Sequence, residues 1–323
     1  MKRIAVVTSG GDAPGMNAAV RAITRVGIDA GLEVFGVRRG YAGLIENDMI
    51  GLNARDVGGI LQLGGTVLGT ARSEEFKTEE AQRKSIENLN KRGIEGLIII
   101  GGNGSQMGAY SLFKLGFPVV GVASTVDNDL YGSDISIGVD TALNIIIESI
   151  DRIKTTAESH NRAFLIEVMG RRFGYLALMS GIAGGVEVIV APEFEVDPAT
   201  VAAELRSAYE RGKRYALVVV TDGAKNNAET IARYFREHGQ EIGYELRVTI
   251  LGHVQRGGSP TAFDRLLATR LGTAAVELLK SGDSGKLVGF ISGQIAFTPL
   301  EVVVANEKTL DMRMWHLSKI LAK

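Results

Sequence analysis

The chain of 323 residues contains no cysteine. That excludes a disulfide framework, thiolate metal centres and cysteine nucleophiles. Proline is scarce, at six residues, and no Pro-rich linker, repeat or charge block divides the chain. Neither sign of charge is in excess: 36 Lys and Arg stand against 37 Asp and Glu, for a net charge of −1. Nothing in that balance points to a nucleic-acid partner. No apolar run reaches the roughly 18 residues of a membrane span, and the N-terminus lacks the apolar core of a signal peptide. A cytoplasmic protein without membrane partners is the expectation.

Apolar residues make up 45% of the chain, enough for a sizeable core. Glycine is plentiful, with 41 residues, well above the roughly 7% usual in globular chains. The glycines cluster after apolar runs, which suggests ligand loops. Short β-branched runs at 4–8, 33–37, 96–100, 119–122, 163–168, 187–191, 215–221 and 245–249 predict strands. Segments of helical period lie at 16–30, 78–92, 136–156, 198–211, 227–237 and 264–279. This alternation predicts an α/β protein with parallel sheets covered by helices on both faces. At this length two domains are expected, with 136–156 as the bridge between them.

Ligands of such folds sit at the turns that follow the strands. The first turn reads Ser-Gly-Gly-Asp-Ala-Pro-Gly-Met-Asn over 9–17. It is neither a dinucleotide fingerprint nor a P-loop, yet it is longer than a plain tight turn requires. The second, Gly-Gly-Asn-Gly-Ser at 101–105, offers bare backbone N–H groups to a phosphate at a helix start. The third, Ser-Thr-Val-Asp-Asn-Asp at 124–129, holds two carboxylates. One suits a base for a hydroxyl and the other a metal or ligand contact; an Asx-rich capping turn is the alternative. The turns at 168–174 and 251–260 each set arginine beside glycine. Arg72, Arg162, Arg171, Arg247 and Arg256 thus fall in or near turns and strand ends, and their forks suit phosphate.

Together the strings SGGDAPGMN, GGNGS, TVDND, EVMGR and LGHVQRGGSP resemble, in order and spacing, the motifs of the bacterial phosphofructokinases. The resemblance spans essentially the whole chain. It implies two Rossmann-like domains: a large nucleotide-binding one over 1–138 and 256–306, and a small sugar-phosphate one over 139–255 and 307–323. It implies phosphoryl transfer from Mg·ATP to O1 of fructose 6-phosphate, a glycolytic step, by a homotetramer in which a neighbouring subunit completes the sugar site. By matched position, Asp127 is the base, and Thr125 and Arg171 assist around the transferred phosphoryl. Arg72 bridges the nucleotide phosphates, and Asp129 lies near the metal. Gly11, Tyr41, Gly104, Ser105 and Gly108 match the nucleotide site. Met169, Gly170, Asp222, His253 and Arg256 match the sugar site, with Arg162 and Arg247 reaching it from the neighbour. Arg21, Arg25, Arg55, Lys154, Gly185, Glu187, Arg211 and Lys213 match an effector site for ADP or phosphoenolpyruvate.

The chain departs from the family pattern at four places. Asn103 replaces an Asp that helps hold Mg²⁺, and so brings no charge to a cation that usually takes one or two carboxylates. Ala123-Ser124 replaces Pro-Gly, which puts bulk close to the phosphate cradle. Asp222 shortens a Glu, and Lys77 replaces an Arg along the nucleotide. Three readings follow. One is a kinase weakened at its metal site. The second is a nearly inactive regulatory paralogue that binds sugar phosphate or effector and assembles with an active sister enzyme. The third is a kinase with another phosphoryl donor or acceptor. Pyrophosphate-dependent relatives carry Asp and Lys where this chain has Gly104 and Ser124, which argues against pyrophosphate as donor.

Overall fold

The computed structural model describes residues 1–238 and 242–322. In chain order the strands are β1 (Arg3–Thr8), β2 (Glu33–Val37), β3 (Met49–Leu52), β4 (Gly96–Gly101), β5 (Val119–Ala123), β6 (Arg162–Val168), β7 (Val188–Val190), β8 (Ala216–Thr221), β9 (Glu245–Ile250), β10 (Lys286–Ile291) and β11 (Gln294–Pro299). The α-helices are α1 (Met16–Asp29), α2 (Gly40–Glu46), α3 (Glu79–Lys91), α4 (Asn103–Lys114), α5 (Val139–His160), α6 (Tyr175–Gly184), α7 (Pro198–Glu210), α8 (Ala228–His238), α9 (Ala262–Lys280), α10 (Leu300–Ala305) and α11 (Met312–Leu321). Among the described residues no helix is long and apolar enough to cross a membrane.

The chain forms two compact units. One comprises Met1–Thr141 with Arg256–Lys308, and the other comprises Ala142–Gln255 with the chain from Thr309 on. The division falls inside α5.

The first unit holds a seven-stranded sheet in the order β11-β10-β5-β4-β1-β2-β3. Its middle is parallel, with Ile98 of β4 opposite both Val6 of β1 and Val120 of β5. Every residue of β4 and β5 is buried, as a central parallel strand under helices on both faces requires. Ile98, Ile99 and Ile100 are fully inaccessible; burying each such side chain contributes about 1.5–3 kcal/mol. Helix α1 packs against α9. Gly272 permits the approach, since a Cβ there would lie 3.0 Å from the Ala19 carbonyl oxygen. The outermost strands depart from the parallel expectation: β3 and β11 each pair antiparallel to their neighbour. Strand β11 follows β10 after Ser292 and Gly293 alone, which permits only a hairpin, whereas β3 returns beside β2 after α2.

The second unit holds a four-stranded parallel sheet in the order β7-β8-β6-β9. Strand β8 is wholly buried. Strand β9 is an edge, and Val248 and Ile250 are 40% and 64% exposed.

Candidate functional site

In the first unit the turns after β1, β4 and β5 meet at one sheet edge. The Ser9 N–H donates to the Ile100 carbonyl at 3.0 Å, which joins the first turn to the second. A Cβ at Gly10 would stand 3.1 Å from Ser105 Oγ. At Gly11 a Cβ would collide with the Arg256 guanidinium, which donates to the Asp12 carbonyl at 3.2 Å. Helix α4 starts at Asn103, three residues before the sequence pattern suggests. Nothing lies within 4 Å of a Cβ at Gly104, so its backbone faces open space. Ser105 Oγ is buried with no hydrogen-bond partner. Exposed Gly104 and the buried, unsatisfied Ser105 hydroxyl thus stand at a helix N-terminus, a place where backbone N–H groups can receive an anion.

The third turn abuts the second. The Ser124 N–H donates to the Gly101 carbonyl at 3.3 Å, and a Cβ at Gly102 would touch Thr125 Cβ at 3.2 Å. Thr125 Oγ1 accepts from the Asp127 N–H at 3.3 Å. Asn128, with φ +56°, is buried between the two aspartates. Its amide donates to the Asp134 carbonyl and its oxygen accepts from the Ser136 N–H. Asn103 Nδ2 donates to the Asp129 carbonyl at 3.3 Å. Lys308 Nζ holds the same loop from the chain's far end, on the Ser133 and Asp134 carbonyls at 2.7 and 2.9 Å. Burial lowers the pKa of this lysine to about 8, against the upward pull of Asp134 and Asp129. Ser124 is fully buried, and its hydroxyl points to the Ile137 carbonyl. The bulk expected in the phosphate cradle is thus turned into the packing beneath it.

The other matched residues of this unit are more dispersed. Tyr41 is buried and stacks on Phe76 at 3.9 Å, and its hydroxyl donates to the Ser105 carbonyl. Gly108 is needed there, because a Cβ would run 2.6 Å from that ring. Arg72 and Lys77 are exposed, and Lys77 pairs with Glu74 at 2.6 Å. Arg21 and Arg25 lie on α1, Arg25 reaching the Ala54 carbonyl beside Arg55.

In the second unit the turns after β6 and β8 interlock. The Asp222 N–H donates to the Val168 carbonyl at 2.8 Å, and a Cβ at Gly223 would collide with the Arg171 carbonyl. Gly170, at φ +145°, leaves a Cβ only 2.8 Å from the Phe173 carbonyl oxygen. The Met169 N–H donates to Gln255 Oε1 at 3.1 Å. Glu193 accepts from the Gly174 N–H through both oxygens at 3.0 Å. Burial raises the Glu167 pKa, and nearby Asp222 adds to the effect. His253 is exposed in the short 3₁₀ segment Gly252–Arg256. Arg162 and Arg247 both pair with Glu245, on adjoining strands β6 and β9. Glu187 accepts from Lys213 Nζ at 2.9 Å and from the Leu217 N–H at 2.6 Å. Gly185 caps α6, and Arg211 reaches Ser207 Oγ. Lys154 pairs with Asp151 on α5.

Residues 3–279 match the family model described as phosphofructokinase. The chain belongs to the phosphofructokinase family. It is 54% identical over 324 residues to ATP-dependent 6-phosphofructokinase 1 of Thermus thermophilus, and 50% identical over 323 residues to the ATP-dependent 6-phosphofructokinase of Thermotoga neapolitana; each match covers 100% of both chains. Among solved structures it resembles the phosphofructokinase of Pichia pastoris in the T-state, at a TM-score of 0.88 and 38% identity, over 99% of this chain and 36% of that one. A pyrophosphate-dependent phosphofructokinase from Marinobacter aquaeolei shares the fold, at a TM-score of 0.88 and 23% identity over 97% and 86% of the two chains.

Sequence reasoning missed Lys308, Glu193 and Asp264. Lys308 and Glu193 carry no local signal, because each acts on a turn far along the chain. Asp264 did leave one: Thr261 three residues before it forms the opening of a capping box.

Proposed function

We propose that the chain is an ATP-dependent 6-phosphofructokinase, moving the γ-phosphoryl of ATP to the 1-hydroxyl of fructose 6-phosphate. The observation that carries this reading is an anion cradle beside an acid. The open Gly104 backbone and partnerless Ser105 hydroxyl adjoin the turn that bears Thr125 and Asp127. The names of the full-length relatives support ATP as donor and 6-phosphofructokinase as the activity.

Asp127 takes the hydroxyl proton as O1 attacks the γ-phosphorus; the bond to the bridging oxygen breaks and ADP leaves. Thr125 Oγ1 accepts from the Asp127 N–H, and its O–H can donate to a phosphoryl oxygen. Arg72 and Arg171 offset the charge that develops on that group, an effect worth about 10²–10³ in rate. Gly11, Gly104, Ser105 and Gly108 shape the nucleotide site, and Tyr41 and Lys77 flank it. Met169, Gly170, Asp222, His253 and Arg256 hold the sugar phosphate, with Arg162 and Arg247 of a neighbouring subunit.

The residues present fit Mg²⁺ carried by the nucleotide. Among the described residues no three acidic or imidazole groups form a metal cage, and Mg²⁺ in such enzymes uses one or two carboxylates plus substrate phosphates. Asp129 and the Asn103 amide oxygen would hold it, and it would neutralise phosphate charge. With Asn103 uncharged, its affinity is lower than two carboxylates would give. The effector residues, Arg21 and Arg25 on α1, Lys154 on α5, Arg55, and Gly185, Glu187, Arg211 and Lys213 in the turns after α6 and α7, bind ADP or phosphoenolpyruvate in a tetramer.

Initial rates of fructose 1,6-bisphosphate formation against Mg·ATP test the reading. Saturable turnover is expected. No turnover in protein that still binds fructose 6-phosphate would favour the regulatory paralogue.

A further inference from the structure

We propose that Asp264 is a positioning residue that sets the acid-bearing turn from beneath. This rests on the kinase reading of Asp127.

Helix α5 begins without a side-chain cap of its own. Gly138 precedes it at φ +102°, and a Cβ there would come 2.7 Å from Ala13 Cβ. The cap comes from α9 instead. Asp264 is fully buried. It accepts from the Gly138 N–H at 2.8 Å, from the Thr141 N–H at 2.8 Å and from the Thr141 hydroxyl at 2.6 Å. The arrangement is reciprocal. The Thr261 N–H donates to Thr141 Oγ1 at 3.0 Å, and the Thr261 hydroxyl donates to Asp140 at 2.6 Å. Helix α5 is therefore capped in trans by Asp264, while α9 is capped by its own Thr261, whose Oγ1 accepts from the Asp264 N–H at 3.2 Å.

What these helices follow matters more than the helices. The loop that begins with Thr125, Asp127 and Asp129 reaches α5 after residues 130–138, and its end is held by the Ser124 hydroxyl on the Ile137 carbonyl and by the Gly138 N–H on Asp264. The turn with Arg256 and Gly-Gly-Ser-Pro runs directly into α9. The first turn passes close to the same residue: a Cβ at Gly15 would stand 3.4 Å from the Asp264 carbonyl oxygen and 3.5 Å from its Cβ. The Asp264 side chain thus ties the end of the acid-bearing loop to the start of α9, with the first turn packed alongside.

The groups around Asp264 are donors, so charge and not shape is what they require. Asn in its place would aim an NH₂ at an N–H, leaving a buried donor unsatisfied. Burial and the neighbouring Asp140 raise the Asp264 pKa to about 6, against the bonds from Gly138 and Thr141. The ionised form still prevails at neutral pH.

The test is Asp264→Asn against the parent chain, well below either melting temperature. Hydrogen exchange should quicken at least tenfold over 125–141 and stay unchanged in 162–222. The turnover number should fall at least tenfold, while the dissociation constant of fructose 6-phosphate stays within twofold. Exchange is read without catalysis, so a parent chain lacking turnover would sink the kinase reading and still leave Asp264 judged. Unchanged exchange over 125–141, or a lowered melting temperature with full turnover, would overturn the proposal. If Asp264→Asn does not fold, Thr141→Val and Thr141→Ser replace it. Faster exchange in the first, reversed in the second, is expected; equal behaviour would refute it.

Discussion

Asp127 and Asn103 are the residues that put the proposed chemistry to the test. Asp127→Ser should cut turnover by at least about 10²-fold, the usual contribution of a positioned base, with fructose 6-phosphate binding retained by calorimetry. Full activity in that variant would refute the assignment. Asn103 has two roles with opposite consequences. Its amide donates to the Asp129 carbonyl, which a carboxylate cannot do, yet a carboxylate would bring charge to the metal. Asn103→Asp should lower the Mg²⁺ concentration for half-maximal rate several-fold; an unchanged midpoint would show that Asn103 is a strut only. The buried carboxylate beneath predicts a pH effect on stability. The Asp264 pKa is raised from the ordinary 3.8 to about 6. The folded state then binds more protons than the unfolded between those values, so this contribution is complete below about 4 and lost as pH rises through 6. From pH 5 to pH 7 the melting temperature of the parent should fall relative to Asp264→Asn, by calorimetry. Equal curves would place the titration elsewhere.

At the scale of elements, the interlocked turns after β6 and β8 make a sharp prediction. Gly223→Ala should push Arg171 aside and raise KM for fructose 6-phosphate about 10–100-fold, the value of a charge-assisted contact of about 1.5–3 kcal/mol. An unchanged KM would separate Arg171 from the sugar site. Elements also show what the sequence could reveal. The buried parallel strands were legible because Val and Ile run unbroken through them. The closing hairpin was not read, although Ser292 and Gly293 at φ +50° and +81° form the two-residue turn between β10 and β11, and Ser-Gly between alternating runs is its signal. Helix α6 is apolar nearly all round, so it shows no amphipathic period. Helix α2 carries two glycines in seven residues, which propensity counts against a helix. Within the site, the cradle and the acid turn were visible as motifs. The buried direction of Ser124 was not, because it depends on the Ile137 carbonyl thirteen residues away.

For the whole molecule, the exposed edge of β9 bears on assembly. Val248 and Ile250 are exposed there beside the Arg162–Glu245–Arg247 cluster. Light scattering should give four times the 34.5 kDa chain mass, and Ile250→Glu should reduce it. A monomeric parent would refute the tetramer.

The path of the chain has one more consequence, for the order of synthesis. The second unit is inserted into the first: residues after 141 leave it and return only at 256. Strand β10, which pairs with β5, begins at Lys286, and α11 (Met312–Leu321) goes back to the inserted unit. A nascent chain on the ribosome can therefore close the first unit only once β10 and β11 have emerged, and the second only once α11 has. A product stopped before Lys286 would lack both the closing strands and that helix.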